Sequence, residues 1–235
     1  MGEVFVIVEH RQGKIRDITY EMLEAGENLA SQQGGSSTAV LLGHNVKSFA
    51  EDLAIRTSKV LVVEDGTLEH FNSIHYQKVL SSLIAKYQPL LTLIGHTAFG
   101  MDLAPSLSVE MGFPLVTDCI GLSFEGTQLK AIRSIYGGKV NAKISLRESK
   151  GYIATIRPGI FNPKALGAKK GGIVIESSPL QGTIDIKKFI EYFEAPITGE
   201  DITQAEIIVS VGQGIGGPEH IPMIEEVAKN LGGVI

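Results

Sequence analysis

A glycine-rich turn near the C-terminus is the segment whose residue types most clearly suggest ligand binding. Residues 206–211 are typical of a buried strand, and residues 221–231 have the apolar spacing of an amphipathic helix. The turn between them contains Gly212, Gln213, Gly214 and Ile215. Glycines at such a junction let the backbone turn tightly and direct N–H groups at an anion, usually a phosphate. A βα connection can also use glycine only to reach a positive φ, so a phosphate site and an ordinary turn both stay open.

A second strand–turn–helix junction, at residues 95–100, could also bind a phosphate. It joins an apolar run at residues 90–94 to a helical pattern at residues 99–111, and open α/β sheets bind nucleotides at such strand ends. Asp102 argues against an anion here, because a carboxylate in the first helical turn would satisfy the helix dipole and repel a phosphate. His96 in the same loop could donate to a ligand or simply be exposed to solvent.

The other polar residues that attract attention have adequate structural explanations. Thr117, Asp118 and Arg157 lie beside apolar runs, so each needs a partner that offsets its desolvation. Arg133 and Tyr136 fall on opposite faces of one predicted strand, where they could fasten a hairpin.

Neither hydrolytic nor metal chemistry is indicated. The chain has no Gly-x-Ser-x-Gly segment, and its sole cysteine, Cys119, lies within an apolar run and not at a helix N-terminus, where its pKa would fall. The six histidines lack the spacing to Cys, Asp or Glu that a zinc site needs. We therefore assign no catalytic residue and no metal ligand.

The composition predicts a globular protein that does not bind nucleic acid. Of the 235 residues 43% are hydrophobic, and a net charge of -5 is a poor match to a phosphate backbone. The single cysteine excludes an internal disulfide and fits a reducing compartment. The N-terminus has no basic region, and its apolar run is too short for a signal peptide or membrane span. We expect a cytoplasmic protein, or a mitochondrial matrix protein without its transit peptide.

Over the first half of the chain, short apolar runs alternate with helical patterns, which predicts an α/β fold with a doubly wound, mostly parallel sheet. The predicted strands are residues 4–8, 38–42, 60–63 and 90–94, and the predicted helices are residues 19–33, 46–55, 71–87 and 99–111. The run at residues 90–94 is almost wholly apolar, as a central strand covered on both faces should be.

After Pro114 the pattern changes to alternating runs separated by glycine turns, which predicts antiparallel hairpins added to the sheet. The hairpin at residues 122–129 is followed by predicted strands at residues 132–136, 140–146 and 152–156. A loop at residues 161–172, a strand at 173–175 and a peripheral helix at 184–192 come next. Proline and glycine at residues 195–201 predict a linker, which divides the chain into domains at residues 1–195 and 196–235.

Five segments, in order, resemble the alpha subunit of electron transfer flavoproteins. They are AFGMDLAP at residues 98–105, PLVTD at 114–118, RSIYGG at 133–138, IRPGIF at 156–161 and IIVSVGQG at 207–214. The resemblance covers the whole chain. It implies an N-terminal α/β domain that packs against a similar beta subunit, followed by the first βα unit of a flavodoxin-like FAD-binding domain.

The resemblance also implies a function. Such proteins carry electrons through FAD from flavin dehydrogenases towards a quinone reductase, as heterodimers of alpha and beta subunits without membrane insertion. Some microbial members split electron pairs from NADH with a second FAD. The cofactor-binding residues carried over by motif are Gly212, Gln213, Gly214 and, as a weaker neighbour, Ile215. We expect an electron carrier and not an enzyme that converts a substrate.

Two departures from the family pattern affect the cofactor. Gln213 stands where the family usually has an arginine on the flavin side of FAD, and an amide offers only a dipole where a guanidinium offers a fixed charge. The sequence also stops at Ile235, before further segments that similar proteins use to hold FAD. We therefore expect a fragment or a naturally cut gene, in which most of the FAD site lies beyond residue 235.

A hypothesis of a different class stays open from the sequence alone. The first domain could act as a non-redox module of the same architecture, which binds a partner subunit or an adenine nucleotide. A neighbouring gene for a beta subunit would favour the electron carrier, and its absence would favour the module.

Overall fold

The computed structural model describes residues 2–163, 170–182, 186–192, 202 and 205–235. The chain divides into two units, Met1–Phe189 and Ile190–Ile235, which we call the first and second unit. The predicted linker at residues 195–201 lies outside the described residues, and so does the predicted domain boundary within it.

The described strands and helices of the first unit follow in chain order. The strands are β1 (Val4–Ile7), β2 (His10–Arg11), β3 (Lys14–Ile15), β4 (Ser37–Gly43), β5 (Lys59–Glu64), β6 (Leu91–Gly95), β7 (Leu115–Glu125), β8 (Gln128–Ile135), β9 (Val140–Ser145), β10 (Tyr152–Ile156) and β11 (Gly172–Glu176). The helices are α1 (Asp17–Gln32), α2 (Lys47–Ala54), α3 (Ser73–Tyr87) and α4 (Ala98–Met111).

Nine of these strands form one sheet in the order β11-β5-β4-β1-β6-β10-β7-β8-β9. All pairings from β11 to β7 are parallel, whereas β7, β8 and β9 pair antiparallel. The chain moves from β1 to β4 and β5 on one side, and then to β6 on the other. The doubly wound, mostly parallel sheet with added antiparallel strands is therefore confirmed, and its topological switch point lies between β1 and β6.

The position of β10 differs from the prediction. The sequence pattern places residues 152–156 among the antiparallel hairpins, but β10 runs parallel between β6 and β7. All five of its residues are buried, because both faces of a central parallel strand are covered by helices or loops. The local turn at residues 150–151 could not reveal this, since the strand is oriented by partners far away in the chain.

Two smaller differences concern peripheral segments. The predicted helix at residues 184–192 is absent from residues 186–192, and residues 183–185 lie outside the described part of the chain. The strands β2 and β3, which the sequence analysis does not predict, form a two-stranded hairpin in which Gln12 and Gly13 have φ of 49° and 76°. A positive φ at both central residues is the geometry of a tight type I′ turn.

Two hydrophobic cores cover the two faces of the sheet. Alternating residues of β1 point to opposite sides, with Val4 and Val6 in one core and Phe5 and Ile7 in the other. The first core packs under α1 and α2, and the second packs under α3 and α4. The two layers hold the carboxyl ends of the parallel strands in fixed positions, and these ends are the usual place for a ligand in such a sheet.

The second unit contains the beginning of a βαβ arrangement. Ile208 and Val234 form a parallel bridge, supported by hydrogen bonds from Val209 N to Val234 O (2.8 Å) and from Val234 N to Ile207 O (3.0 Å). The helix α5 (Ile221–Asn230) connects the two bridge positions. The predicted strand at residues 206–211 is thus a single bridge among the described residues.

Candidate functional site

The glycine-rich turn of the second unit lies between the bridge at Ile208 and α5. Residues Gln213–Ile215 form one turn of 3₁₀ helix, preceded by Gly212 in an extended conformation. Gly216 ends the turn with φ of +92°, a backbone region in which a side chain is strained. The turn uses the N–H groups of Ile215 and Gly216 for its own hydrogen bonds, to Gly212 O at 3.1 Å and to Gln213 O at 3.3 Å.

An open pocket of 620 Å³ lies against this turn. Its lining residues are Ser210, Val211, Gly212, Gly214, Ile215, His220, Met223 and Ile224. Three of the four residues predicted to bind the cofactor therefore line one pocket, whereas Gln213 is not among the lining residues. A Cβ atom placed on Gly212 or Gly214 would meet no described atom within 4 Å, so the backbone here is open to a ligand.

The start of α5 provides the favourable electrostatics of this pocket. No side chain caps α5, and Pro222 lies in its first turn. The positive end of the helix dipole favours an anion, although Glu219 in the 3₁₀ turn that leads into α5 already places one carboxylate near this end. The described contacts assign no acceptor to the N–H groups of Gly212, Gln213 and Gly214, which leaves further donors for a ligand in the part of the chain that the structure describes.

His220 is the pocket residue that the sequence analysis does not predict. It belongs to the 3₁₀ turn Pro218–His220 that leads into α5, and its side chain is 54% exposed. Its Nε2 lies 3.8 Å from Oε1 of Glu219, whose carboxylate folds back over Gly217. The signal that could have found it is the pair of prolines at 218 and 222, which marks the start of a helix.

The corresponding junction in the first unit is closed. At the switch point between β1 and β6, Glu9 Oε2 accepts a hydrogen bond from Thr97 Oγ1 at 2.7 Å. A Cβ on Gly95 would lie 3.1 Å from the same carboxylate oxygen and 2.9 Å from Ile18, so these side chains fill the space above the turn. Burial raises the pKa of Glu9. The phosphate site that residues 95–100 could have formed is thus occupied by a carboxylate of the chain itself.

Asp102 does not take the role that the sequence predicts. Because α4 begins at Ala98, Asp102 lies in the second turn and not in the first. Its carboxylate instead pairs with Lys187 Nζ, with oxygens at 2.8 and 3.1 Å. This hydrogen bond and charge lower the pKa of Asp102. The anion that excludes phosphate from this junction is therefore Glu9.

A polar cluster lies where β6 and β10 end, beside Asp118 in β7. Arg157 Nε and Nη2 donate to Oδ1 and Oδ2 of Asp118 at 2.8 and 2.6 Å, and this bidentate contact lowers the pKa of Asp118. Thr155 Oγ1 accepts from Asp118 N at 2.9 Å and lies 2.9 Å from His96 Nδ1. Asp118 itself has φ of +59°, so the cluster holds a residue in a strained conformation. His96 is half-buried in this network and is not a free loop residue.

The remaining predicted residues contribute to the hairpin region. Arg133 Nη1 donates to Thr117 Oγ1 at 3.3 Å, which fastens β8 to β7 as the sequence suggests. Tyr136 is different, because β8 ends at Ile135 and Tyr136 lies in the following turn with φ of +52° and 78% exposure. It therefore does not face Arg133 across a strand.

Cys119 has no reactive environment in this fold. Its side chain is buried, and burial raises the pKa of the thiol to about 12. Among the described residues no group of three or more His, Cys, Asp or Glu side chains could hold a metal ion. Of the helices that the structure describes, none combines the length and apolar character of a membrane span.

Comparisons with known proteins agree on one family. Residues 4–179 match the electron transfer flavoprotein domain. The chain is 32% identical over 236 residues to an electron transfer flavoprotein subunit alpha of Thermoanaerobacterium thermosaccharolyticum, with 99% of this chain and 72% of that protein covered. It is 33% identical to the subunit alpha of Clostridium acetobutylicum, with 99% and 71% covered. A lactate dehydrogenase (NAD(+),ferredoxin) subunit LctC of Acetobacterium woodii is 30% identical, with 99% and 56% covered. The chain therefore belongs to the electron transfer flavoprotein family, among relatives that are its alpha subunits.

Proposed function

We propose that this chain works as an electron transfer flavoprotein alpha subunit, which carries electrons through FAD. The observation that supports this most directly is the open, glycine-lined pocket between Ile208 and α5 in a chain of this family. Relatives that cover nearly the whole chain are named electron transfer flavoprotein subunit alpha. Gly212, Gly214 and Ile215 would hold part of the cofactor through their backbone, with Gln213 beside it.

The chemistry expected of these residues is limited to binding and electrostatics. FAD supplies the redox chemistry when it is bound, and the protein positions it and adjusts its surroundings. The turn offers backbone N–H groups and the start of α5, both of which favour anionic groups. Gln213 adds a dipole where an arginine would add a fixed charge. It therefore stabilises a negative charge on the cofactor less than an arginine would.

The proposed partner is an electron transfer flavoprotein beta subunit, with flavin dehydrogenases as donors and a quinone reductase as acceptor. We expect the antiparallel extension β7–β9 to contact the beta subunit, because β9 is an edge strand and exposes apolar side chains. Val140 in β9 is 48% exposed, and Tyr136 in the preceding turn is 78% exposed. An exposed strand edge with apolar side chains is a surface that a partner can cover.

Co-purification with a beta subunit tests this partner assignment. Val140→Glu should weaken the complex, since it places a carboxylate on the proposed contact. Ile175→Glu is the matched control, because Ile175 is 77% exposed in β11 at the opposite edge of the sheet. Equal effects of the two substitutions, or clean monomers in the presence of the beta subunit, would contradict the proposed face.

An absorbance titration tests the cofactor. The purified chain is measured alone and with added FAD, and bound flavin gives bands at roughly 380 and 450 nm that remain after gel filtration. Retained yellow cofactor would support the proposal. A colourless protein that ignores added FAD would refute an FAD site on this polypeptide.

The alternative, an adenine-nucleotide module in the first unit, is opposed by one observation. The switch-point crevice that would take the nucleotide contains the Glu9 carboxylate, bonded to Thr97. An anionic phosphate would meet this acid at close range. Calorimetry with ADP should show no binding to the wild-type chain at this crevice, and measurable binding that Glu9→Gln strengthens would restore the alternative.

A further inference from the structure

The antiparallel extension of the sheet carries a positive charge that the rest of the chain does not share. Residues 126–150, which contain β8 and β9, hold six of the 21 Lys and Arg residues of the chain but only one of its 26 Asp and Glu residues. Their local net charge is +5, whereas that of the whole chain is -5. We call residues 126–150 the basic extension.

Four cations of the basic extension are exposed and unpaired in the part of the chain that the structure describes. They are Lys139, Lys143, Arg147 and Lys150. No ion pair between described residues involves any of them. Basic side chains elsewhere in the first unit meet an acid, as Lys86 meets Glu176 at 2.7 Å and Lys187 meets Asp102 at 2.8 Å. The free cations of the basic extension therefore remain available to a partner.

Exposed apolar side chains lie among these cations. Ile132 in β8 is 39% exposed, and its cross-strand neighbours are Gly121 on β7 and Lys143 on β9. Gly121 has no side chain and Lys143 is itself exposed, so neither neighbour buries Ile132. Val140, at the start of β9, is 48% exposed. An apolar centre with a charged rim is the usual anatomy of a protein–protein contact.

The charge of the remaining chain distinguishes between classes of partner. Outside the basic extension, 15 Lys and Arg residues stand against 25 Asp and Glu residues. A nucleic acid or an anionic membrane is an extended polyanion, which would also face this acidic remainder and be repelled by it. A protein can confine its acidic side chains to a patch that meets only the basic extension. Charge complementarity therefore favours an acidic protein surface.

We propose that the basic extension receives an acidic surface of the beta subunit, and that the attraction between the two surfaces sets the rate at which the subunits associate. This inference rests on the proposed function, which names the beta subunit as the partner, and it adds the charge of the surface that the partner presents. Val140 and Lys143 lie in the same edge strand, so the apolar contact and the charged contact form one surface. Opposite charges act mainly on the association rate, and salt screens them.

The test is the association rate constant of the full chain with its cognate beta subunit, measured by stopped-flow mixing. For the wild type we expect this rate to fall about tenfold between about 20 mM and about 500 mM NaCl, as electrostatic steering predicts. Lys143→Glu should associate about fivefold more slowly than the wild type at low salt, with a smaller change in the dissociation rate. Lys139→Glu should have the same effect from a turn outside the strands, so the test does not depend on β9 tolerating a substitution.

Lys78→Glu is the matched control, because Lys78 is exposed on α3 and the substitution changes the net charge equally. It should associate like the wild type, and a rate as slow as that of Lys143→Glu would overturn the assignment to the basic extension. Thermal unfolding of each variant verifies that the fold is kept.

The remaining outcomes separate this inference from the proposed function. A complex that forms at a rate independent of salt would overturn the inference, while the proposed partner stands. Binding of duplex DNA or of phosphatidylserine vesicles that Lys143→Glu abolishes, with unchanged association to the beta subunit, would assign the surface to another class of partner and overturn it too. If neither the wild type nor any variant forms a complex, the proposed partner fails and this inference fails with it.

Discussion

Two strand–turn–helix junctions of this chain contain glycine, but side chains fill the space at one of them and a pocket lies at the other. In the first unit, the turn between β6 and α4 is filled by Glu9 and Ile18. In the second unit, the turn before α5 borders an open pocket of 620 Å³. Glycine at a βα junction therefore has two separate uses. In one case it lets neighbouring backbone pack closely, and in the other it lets a ligand approach.

A methyl group added to a packing glycine of the first junction should have the largest effect. A Cβ on Gly100 would overlap the carbonyl oxygen of Gly95 and lie 2.9 Å from Ile94 Cγ2. Because the obstacle is backbone, α4 has to move away from β6. We expect Gly100→Ala to lower the free energy of unfolding by about 3 kcal/mol, measured by urea denaturation, although alanine is the better helix former.

Gly66→Ala is the control for this substitution. Gly66 has no atom within 4 Å of its Cβ position and no positive φ, so we expect a change of less than about 0.5 kcal/mol. A similar stability for Gly100→Ala and Gly66→Ala would mean that the first junction is as open as the second, and the contrast between the units would be lost.

The same methyl group in the second unit should affect binding and not stability. A Cβ on Gly214 meets no described atom within 4 Å, but it projects into the region where we propose that FAD approaches the backbone. We expect Gly214→Ala to unfold like the wild type and to raise the dissociation constant of FAD about tenfold, or roughly 1.4 kcal/mol. Unchanged FAD affinity would place the cofactor elsewhere, and a large loss of stability would make Gly214 a packing glycine as well.

The polar cluster of the first unit offers a test with a smaller expected effect. Arg157→Ala removes the bidentate partner of Asp118, so the midpoint of denaturation should fall at pH 7 while affinity for a beta subunit stays unchanged. Because Arg157 lowers the pKa of Asp118, the stability it contributes is present above the ordinary aspartate pKa of about 3.9 and is lost as the pH falls through the folded value.

The difference between wild type and Arg157→Ala should therefore shrink below about pH 4. Arg157→Lys should recover part of the stability, since it keeps the charge but not the two parallel hydrogen bonds. A variant that melts like the wild type yet loses the beta subunit would show that Arg157 contacts the partner and has no structural role.

The sequence predicts the fold well where the information is local. Residues 4–8 form a continuous apolar run and residues 90–94 an almost wholly apolar one, as a strand covered on both faces requires. Residues 152–156 form a similar run, but their direction depends on pairing with β6, about 60 residues earlier in the chain. The neighbouring glycine turn suggests a hairpin, and no local pattern could correct that suggestion.

The candidate site was predictable only in part, because some of its contacts also join residues that are far apart in the chain. The cluster of glycines identifies the turn at residues 212–215, which ends at Gly216, where φ of +92° favours glycine. His220 carries no comparable signal, since it is one of six histidines without partner spacing. The sequence around Glu9 gives no such indication either, because Glu9 closes the crevice through a hydrogen bond with Thr97, which is 88 residues away. Both roles arise from contacts that exist only in the folded chain.

The smallest expected effect concerns the charge that closes the first junction. Burial raises the pKa of Glu9, so the contribution of this side chain to stability is largest at low pH, where the acid is protonated, and falls as the pH rises through the folded value. Glu9→Gln keeps an acceptor for Thr97 and cannot ionise, so we expect it to match the wild type near pH 4 and to exceed it at pH 8 by less than about 1 kcal/mol. Chemical denaturation at the two pH values measures this difference. A variant that is less stable than the wild type at pH 8 would show that the ionised carboxylate is well solvated. The crevice would then be open to water, and it would differ from the pocket of the second unit only in its charge.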